Sequence, residues 1–280
     1  MKTFREAIKS KYPKYEKLAD DFSEANGLKD ADWKDITKLN LANFVDYLEE
    51  TKAQSSVKTY CAMVKSVLNL YSDEVKLPKD YAKILSCKGS PSQNVYLTSD
   101  ELLSVIAYNP LSDTERYVRD VFCICALVGC RHSDGIRLTK NNVSDGRMIY
   151  VSQKTKIKSE VPLSDAVIRL LNDLDEHDIR SYKLSDNTYN KTIRDICRNC
   201  GITQKVKLFR HGVDCEGEKW EYISSHSARR SCASNLYVLG CDLFTISKVL
   251  GHTSIETTKN YICAPMNISQ RVLEYFKQFK

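Results

Sequence analysis

The chain has 280 residues, of which 42% are hydrophobic and 28% charged, so it is long enough for two domains with separate cores. No apolar run reaches the length of a membrane span, and the charged first helix candidate is unlike a signal peptide. The formal net charge of +6 suits a polyanion partner, although a solvated lysine-rich surface explains it equally well. The 11 cysteines are interpreted as reduced cytosolic thiols that serve as small hydrophobic residues.

The first part of the chain, residues 1 to about 86, carries apolar residues at helical spacing. Pro13 can start a helix that Gly27 ends, Asn40 can cap the next one, and Ser55 precedes a longer one. Few strand signals interrupt this pattern. We therefore expect three or four short helices packed as a small bundle.

A stretch rich in Gly, Ser and Pro, residues 87–93, breaks both helical and strand periodicity. Shortly after it, Thr98 and Glu101 form a capping-box pattern that opens a new helix. The sequence therefore predicts a boundary near residue 92, which separates a domain of residues 1–92 from one of residues 93–280.

The second domain is expected to be helical with a small β-sheet. Val118–Gly129 is apolar nearly all round and predicts a buried helix. After a turn signal at Asp145-Gly146, strands are predicted at Met148–Val151 and Glu160–Leu163, joined by a lysine-rich tip at 153–158. Further strands are expected at 206–209 and 220–223, and further helices at Asp165, 185–201, 226–239 and 242–250, then after a capping box at Thr253. The predicted fold class is mainly α (α+β).

Five polar residues stand out in this second domain. His226 and Arg229 are three residues apart and share a helix face, Arg131 ends the buried helix, and His252 precedes Tyr261 by nine residues. Arginine grips phosphate oxygens with a charged planar fork, histidine transfers protons, and a phenol oxygen can act as a nucleophile. The set therefore suits attack on a phosphodiester. No carboxylate cluster has the spacing of a magnesium site, so no metal or other cofactor is expected.

In this order and spacing the motifs resemble the tyrosine recombinase (phage integrase) family, over residues 98 to 262. The matching positions are Gly129-x-Arg131-x-x-Asp134, Lys154 before Pro162-Leu163, His226-x-x-Arg229, Leu250-Gly251-His252, and Tyr261. The resemblance implies a site-specific DNA recombinase that joins Tyr261 to a 3′-phosphate of DNA. The catalytic set that it implies is Arg131, Lys154, His226, Arg229, His252 and Tyr261.

Residues 1–92 resemble the helical, SAM-like core-binding domain of that family only in length and in the pattern Ser56-x-x-Thr59-Tyr60. The DNA-contacting candidates there are Lys58, Thr59 and Lys65. The resemblance further implies double-stranded recombination sites as partners, a tetramer on synapsed DNA, and exchange of a C-terminal helix at 267–280. Accessory DNA-bending proteins are further candidate partners. No membrane partner is expected, and the implied location is the cytoplasm, on the nucleoid, in a bacterial, phage or mobile-element context.

Three positions have competitors within the sequence. Lys156 competes with Lys154, Arg230 with Arg229, and Tyr275 with Tyr261. Two other functions also stay open: a type IB topoisomerase-like enzyme that relaxes supercoils as a monomer, and a catalytically silent DNA-binding accessory protein.

A rival metal site is suggested by cysteine and histidine spacing. Cys197, Cys200, His211 and Cys215 have roughly zinc-like spacing. However, Cys197 and Cys200 fall in the last turn of a predicted helix, where buried thiols are the preferred interpretation.

Overall fold

The computed structural model describes residues 1–87, 93–210, 213–263 and 277. The chain divides into two compact units, Met1–Ser92 with Phe209–Cys215 and Gln93–Leu208 with Glu216–Lys280. The predicted mainly α fold with small sheets is confirmed. Most of the predicted linker at 87–93, and the predicted C-terminal helix apart from Lys277, lie outside the described residues. Within the described part of the chain, no helix is long and apolar enough to cross a lipid bilayer.

The first unit is built from five helices around an aromatic core. Phe4, Phe22 and Phe44 are fully buried, and the Phe22 ring centroid lies 5.4 Å from those of the other two. Asn40 does not cap the third helix: the Thr37 side chain does, by accepting the Asn40 N–H, so the helix begins earlier than predicted. The helices are α1 (Phe4–Lys11), α2 (Lys17–Ala25), α3 (Lys38–Thr51), α4 (Gln54–Leu70) and α5 (Tyr81–Ile84).

The second unit is organised around one central helix. Every residue of this helix from Tyr117 to Ala126 is buried, as its all-round apolar sequence predicts, and it packs against four later helices. The capping box at Thr98 and Glu101 is confirmed at the start of the unit. The helices are α6 (Ser99–Ala107), α7 (Asp113–Val128, the central one), α8 (His132–Gly135), α9 (Asp165–Glu176), α10 (Asp186–Asn199), α11 (Ser225–Val238), α12 (Leu243–Leu250) and α13 (Ile255–Lys259).

A three-stranded antiparallel sheet carries the lysine-rich tip. Its strands are β1 (Val143–Ser144), β2 (Arg147–Val151) and β3 (Lys158–Pro162), in that order. Asp145 and Gly146 both have positive φ, 50° and 70°, which matches the tight turn expected between β1 and β2. The β2–β3 hairpin is confirmed, with Val151 opposite Lys158 next to the tip.

A second antiparallel pair consists of β4 (Lys205–Arg210) and β5 (Val213–Glu218). The strand predicted at 220–223 is wrong, because Lys219–Tyr222 forms a 3₁₀ turn. The buried Lys219 ammonium donates to both carboxylate oxygens of Glu101, at 2.6 and 2.8 Å, and this pairing fixes the turn. The true partner strand was missed because its charged residues and Gly217 give no apolar alternation.

Candidate active site

A single buried arginine connects the ends of two helices. Arg229 on α11 is 1% exposed, and its guanidinium donates to the carbonyl oxygens of Gly129 at 2.7 Å and Leu250 at 2.5 Å. These carbonyls stand at the C-terminal ends of α7 and α12, where the helix dipole favours a cation. Arg229 therefore fixes two helix ends against each other.

Both helix ends need glycine, and each is followed by a candidate site residue. Gly129 and Gly251 take left-handed conformations, with φ of 74° and 62°. A Cβ at Gly129 would lie 2.9 Å from the Cys232 sulfur, and one at Gly251 would lie 2.8 Å from Ser159 Oγ. The chain can therefore turn sharply there, which places Arg131 and His252 directly after the two helices.

Arg131 is held by a chain of hydrogen bonds that ends at a buried carboxylate. Its Nη1 donates to Ser152 Oγ at 2.9 Å, and Ser152 donates to Asp134 Oδ2 at 3.0 Å. Asp134 is 1% exposed and also accepts the backbone N–H of Gln153 at 2.8 Å. The carboxylate therefore connects the Arg131 turn to the hairpin tip that carries Lys154.

Lys154 lies on that tip, and its charge adds to burial and to the charges of Arg230 and Arg229 in lowering the pKa of His226. Lys156 takes a left-handed conformation, with φ of 57°. The Lys158 ammonium is 2.7 Å from Glu160 and so is neutralised by an ion pair. These observations favour Lys154 over Lys156 as the cation of the site.

His226 lies in the first turn of α11, three residues before Arg229. The His226 residue is exposed to solvent, but neighbouring atoms still remove part of the water from around its imidazole ring. This desolvation, followed by the positive charges of Arg230, Arg229 and Lys154, lowers its pKa. The imidazole is therefore neutral near pH 7 and can accept a proton.

His252 is more strongly perturbed. Burial, and then the charges of Arg229 and Arg131, lower its pKa to about 4, so that the ring is neutral at physiological pH. Its Nδ1 lies 2.9 Å from Thr258 Oγ1. Its Nε2 is buried and has no hydrogen-bond partner among the described residues.

Tyr261 lies against these groups. Its ring centroid is 5.0 Å from that of His252, and the guanidinium carbons of Arg229 and Arg230 lie 5.3 and 5.9 Å from it. Arg230, which the sequence offered only as a substitute for Arg229, thus faces the same tyrosine as a second cation.

The segment carrying Tyr261 is fixed at both ends. Ser254, not the predicted Thr253, caps α13 by accepting the Glu256 N–H. Beyond the tyrosine, the Cys263 N–H donates to Ser234 Oγ on α11 at 2.9 Å. The tyrosine is therefore held between an N-terminal cap and a contact with the helix that carries Arg229.

Arg131 and Arg229 carry positive charges that no carboxylate of the described residues neutralises directly. In the part of the chain that the structure describes, neither Arg131 nor Arg229 forms an ion pair, since Asp134 reaches Arg131 only through Ser152. Burial, and then the repulsive charge of Arg131, lower the pKa of Arg229. Such a site is complementary to a phosphate anion.

The described residues contain no group of three or more His, Cys, Asp or Glu side chains placed to hold a metal ion. Of the rival zinc set, Cys197 is buried in α10 and Cys200 ends it, while His211 lies outside the described residues. All 11 cysteines are described and are free thiols. Burial raises the pKa of the Cys197 thiol, as expected for an inert core residue.

The DNA-contacting candidates in the first unit differ in accessibility. Lys58 and Thr59 are exposed on α4. The Lys65 ammonium, in contrast, donates to the Ala82 carbonyl at 2.9 Å and to Ser86 Oγ at 3.0 Å. Lys58 and Thr59 are therefore the better placed of the three for a ligand.

Sequence reasoning missed two residues that orient the site, Ser152 and Thr258. Ser152 directly precedes the lysine-rich tip, and Thr258 precedes Tyr261 by three residues. Their positions beside motif residues were the available signal. The competitor Tyr275 lies outside the described residues.

Comparison with known proteins shows the family of this chain. The model of the phage integrase family matches residues 95–267. The integrase of Escherichia phage P2 is 25% identical over 169 residues, 59% of this chain and 42% of that protein. Tyrosine recombinase XerC of Rickettsia canadensis is 26% identical over 232 residues, 81% of this chain and 72% of that protein.

Solved structures also share the fold, and two of them illustrate this. A lambda integrase fragment, crystallised as a dimer bound to a core site, aligns with a TM-score of 0.62 and 20% identity, covering 89% of this chain and 88% of that one. The XerH site-specific recombinase, in a post-cleavage complex with a palindromic difH substrate, aligns with a TM-score of 0.66 and 16% identity, covering 94% and 77%.

Proposed function

The chain belongs to the phage integrase family and is a site-specific DNA recombinase of the tyrosine type; on this premise we propose that Tyr261 is its nucleophile. The assignment rests on the position of Tyr261 beside Arg229 and His252. The observation that carries the proposal is the Arg229 guanidinium beside this phenol, which forms no ion pair among the described residues. A DNA phosphate would supply the missing anion.

In the cleavage step, the Tyr261 oxygen attacks the scissile phosphorus and the bond from phosphorus to the 5′ oxygen breaks. The products are a 3′-phosphotyrosyl link and a free 5′-hydroxyl. His226, neutral and near the site cations, assists removal of the phenol proton. Lys154 on the hairpin tip protonates the leaving 5′ oxygen.

The negative charge that develops on the phosphate is stabilised by Arg131, Arg229 and His252. Arg131 and Arg229 are preorganised by their bonds to Ser152 and to the two helix-end carbonyls. Rejoining is the reverse reaction, in which the 5′-hydroxyl of a partner strand attacks the phosphotyrosine. Because the covalent link conserves the bond energy, the reaction needs no high-energy donor.

The cationic site predicts cleavage without a metal ion. Covalent adduct formation should proceed at an unchanged rate in excess EDTA, because side chains rather than Mg²⁺ neutralise the phosphate. The assay uses a duplex site selected by the protein from random DNA, nicked downstream of the cleaved phosphate so that the freed 5′-hydroxyl fragment diffuses away. Loss of adduct in EDTA, restored by Mg²⁺ or Zn²⁺, would contradict the proposed site.

For the partners, we propose two protomers on each DNA site and four in the synapse. In support, the lambda integrase and XerH structures are complexes with DNA, and a lambda integrase tetramer bound to a Holliday junction shares the fold, with a TM-score of 0.58. Residues 1–92 would form the core-binding domain and grip the duplex through residues such as Lys58 and Thr59. Accessory DNA-bending proteins are a further proposal, as is a cytoplasmic, nucleoid-associated location.

The C-terminal segment of residues 267–280, called the tail below, provides a test of the assembly. Ile268, Val272, Phe276 and Phe279 would form one apolar face, and a helix this short needs a surface to cover. We propose a neighbouring protomer as that surface. Deleting residues 267–280 should leave folding and single-site binding intact but weaken cooperative binding to paired sites and reduce strand exchange.

Gel-shift titrations on one and two sites, together with a recombination assay, measure these effects. A variant with Ile268 and Phe276 both changed to Ser keeps the length of the tail and removes part of its apolar face. It therefore separates the effect of the apolar face from the effect of tail length. Recombination by the truncated chain at the rate of the full chain would refute the coupling role.

A further inference from the structure

Thr258 contacts the two residues that the chemistry must align. It is fully buried on α13, and its Oγ1 lies 2.9 Å from His252 Nδ1. Its backbone carbonyl accepts the N–H of Tyr261 at 2.9 Å. One residue therefore connects the histidine ring to the backbone of the nucleophile.

The hydrogen bonds around His252 bear on which of its ring nitrogens carries the proton. A threonine hydroxyl has one proton to donate, and buried donors are almost always paired. Among the described residues, this hydroxyl has no partner other than His252 Nδ1. Donation by the O–H to Nδ1 places the proton of the neutral ring on Nε2. The opposite tautomer would leave the Thr258 O–H without an acceptor, whereas an Nε2–H that has no partner here can donate to a bound phosphate.

We propose that Thr258 is a positioning residue that holds His252 as the Nε2–H tautomer, so that this N–H serves as a donor to the DNA phosphate. The buried Nε2 has no partner among the described residues, so a proton on it remains available for donation to a ligand. The opposite tautomer would present a lone pair to the anion and repel it. The proposal rests on the proposed function, because the phosphate supplies the acceptor for the Nε2–H; the tautomer can nevertheless be measured without DNA.

Nuclear magnetic resonance tests the tautomer directly, without DNA. The chain has five histidines, and a His252→Gln variant identifies the His252 signals in a protein labelled with ¹⁵N at histidine. At pH 7 the wild-type protein should show a neutral His252 with its proton on Nε2. In Thr258→Val the two tautomers should become mixed. A wild-type ring protonated on Nδ1 would overturn the inference.

Adduct formation on the nicked duplex tests the consequence. Thr258→Val replaces the hydroxyl by a methyl group of similar size and should slow cleavage on the order of tenfold, without weakening DNA binding. Thr258→Ser keeps the hydroxyl and should restore most of the rate. The matched control is Thr257→Val, on the same helix but exposed, which should cleave at the wild-type rate.

A double-mutant cycle shows whether the effect passes through His252. In a His252→Ala background, Thr258→Val should cause no further loss. An equal further loss would mean that Thr258 acts through the backbone of Tyr261 instead, and cleavage by Thr258→Val as fast as by Thr257→Val would remove the role altogether. If the wild-type protein forms no adduct, the proposed function fails, while the tautomer measurement still stands.

Discussion

Replacing Tyr261 with Phe should abolish the covalent protein–DNA adduct and leave DNA binding unchanged. The substitution removes one oxygen atom and keeps the ring, which packs beside His252 and the Arg229 guanidinium. Since a neighbouring group cannot replace an in-line nucleophile, we expect a loss on the order of a thousandfold or more. Denaturing gels of the nicked-duplex reaction measure the adduct, and gel shifts measure binding.

Two variants make this result specific. Tyr237→Phe changes a partly buried tyrosine of the same apolar cluster and should form adduct normally. Tyr275→Phe removes the competing tyrosine of the tail and should also remain active. Undiminished adduct in Tyr261→Phe, or its loss in Tyr275→Phe alone, would show that the nucleophile has been assigned incorrectly.

The second large effect is expected for Arg229→Lys. A lysine keeps the charge but has no planar fork, so it cannot bond the Gly129 and Leu250 carbonyls while facing the phosphate. We expect adduct formation to fall by about 10²- to 10³-fold, as when one preorganised oxyanion donor is removed. Leaving a buried carbonyl unpaired should also lower the free energy of unfolding by about 1–3 kcal/mol.

Chemical denaturation of the protein without DNA separates the two losses, because it reports stability alone. Arg169→Lys, an exposed position on α9, is the matched control and should change neither quantity. If Arg229→Lys forms adduct at the wild-type rate, a positive charge alone is sufficient. The two hydrogen bonds of the guanidinium to the ends of α7 and α12 would then not contribute to catalysis.

The sequence predicted the candidate site residues through their order and spacing, and it predicted helices where the apolar period was strong. Thus α7 was predicted from its all-round apolar composition, and the β2–β3 hairpin from its short apolar runs. These features depend on residues close together in the chain, where periodicity and turn signals act.

What the sequence could not supply are contacts between distant residues. The hydrogen bond between Arg229 and Gly129 joins residues 100 positions apart, and no local sequence pattern predicts it. The hydrogen bonds from Arg131 to Ser152 and from Ser152 to Asp134 could not be predicted either. A serine before a turn can serve many structural purposes, so its presence alone does not indicate these partners. Strand β5 was missed for another reason: pairing with β4, rather than its own alternation, makes it a strand.

The most direct test of the central claim is to identify the residue that carries the DNA. The wild-type adduct formed on the nicked duplex is digested with nuclease and protease, and the modified peptide is sequenced by mass spectrometry. The site predicts a single phosphodeoxynucleotide attached to Tyr261 through its 3′-phosphate. A nucleotide on Tyr275 or on any other residue, or one joined through a 5′-phosphate, would contradict the proposed mechanism.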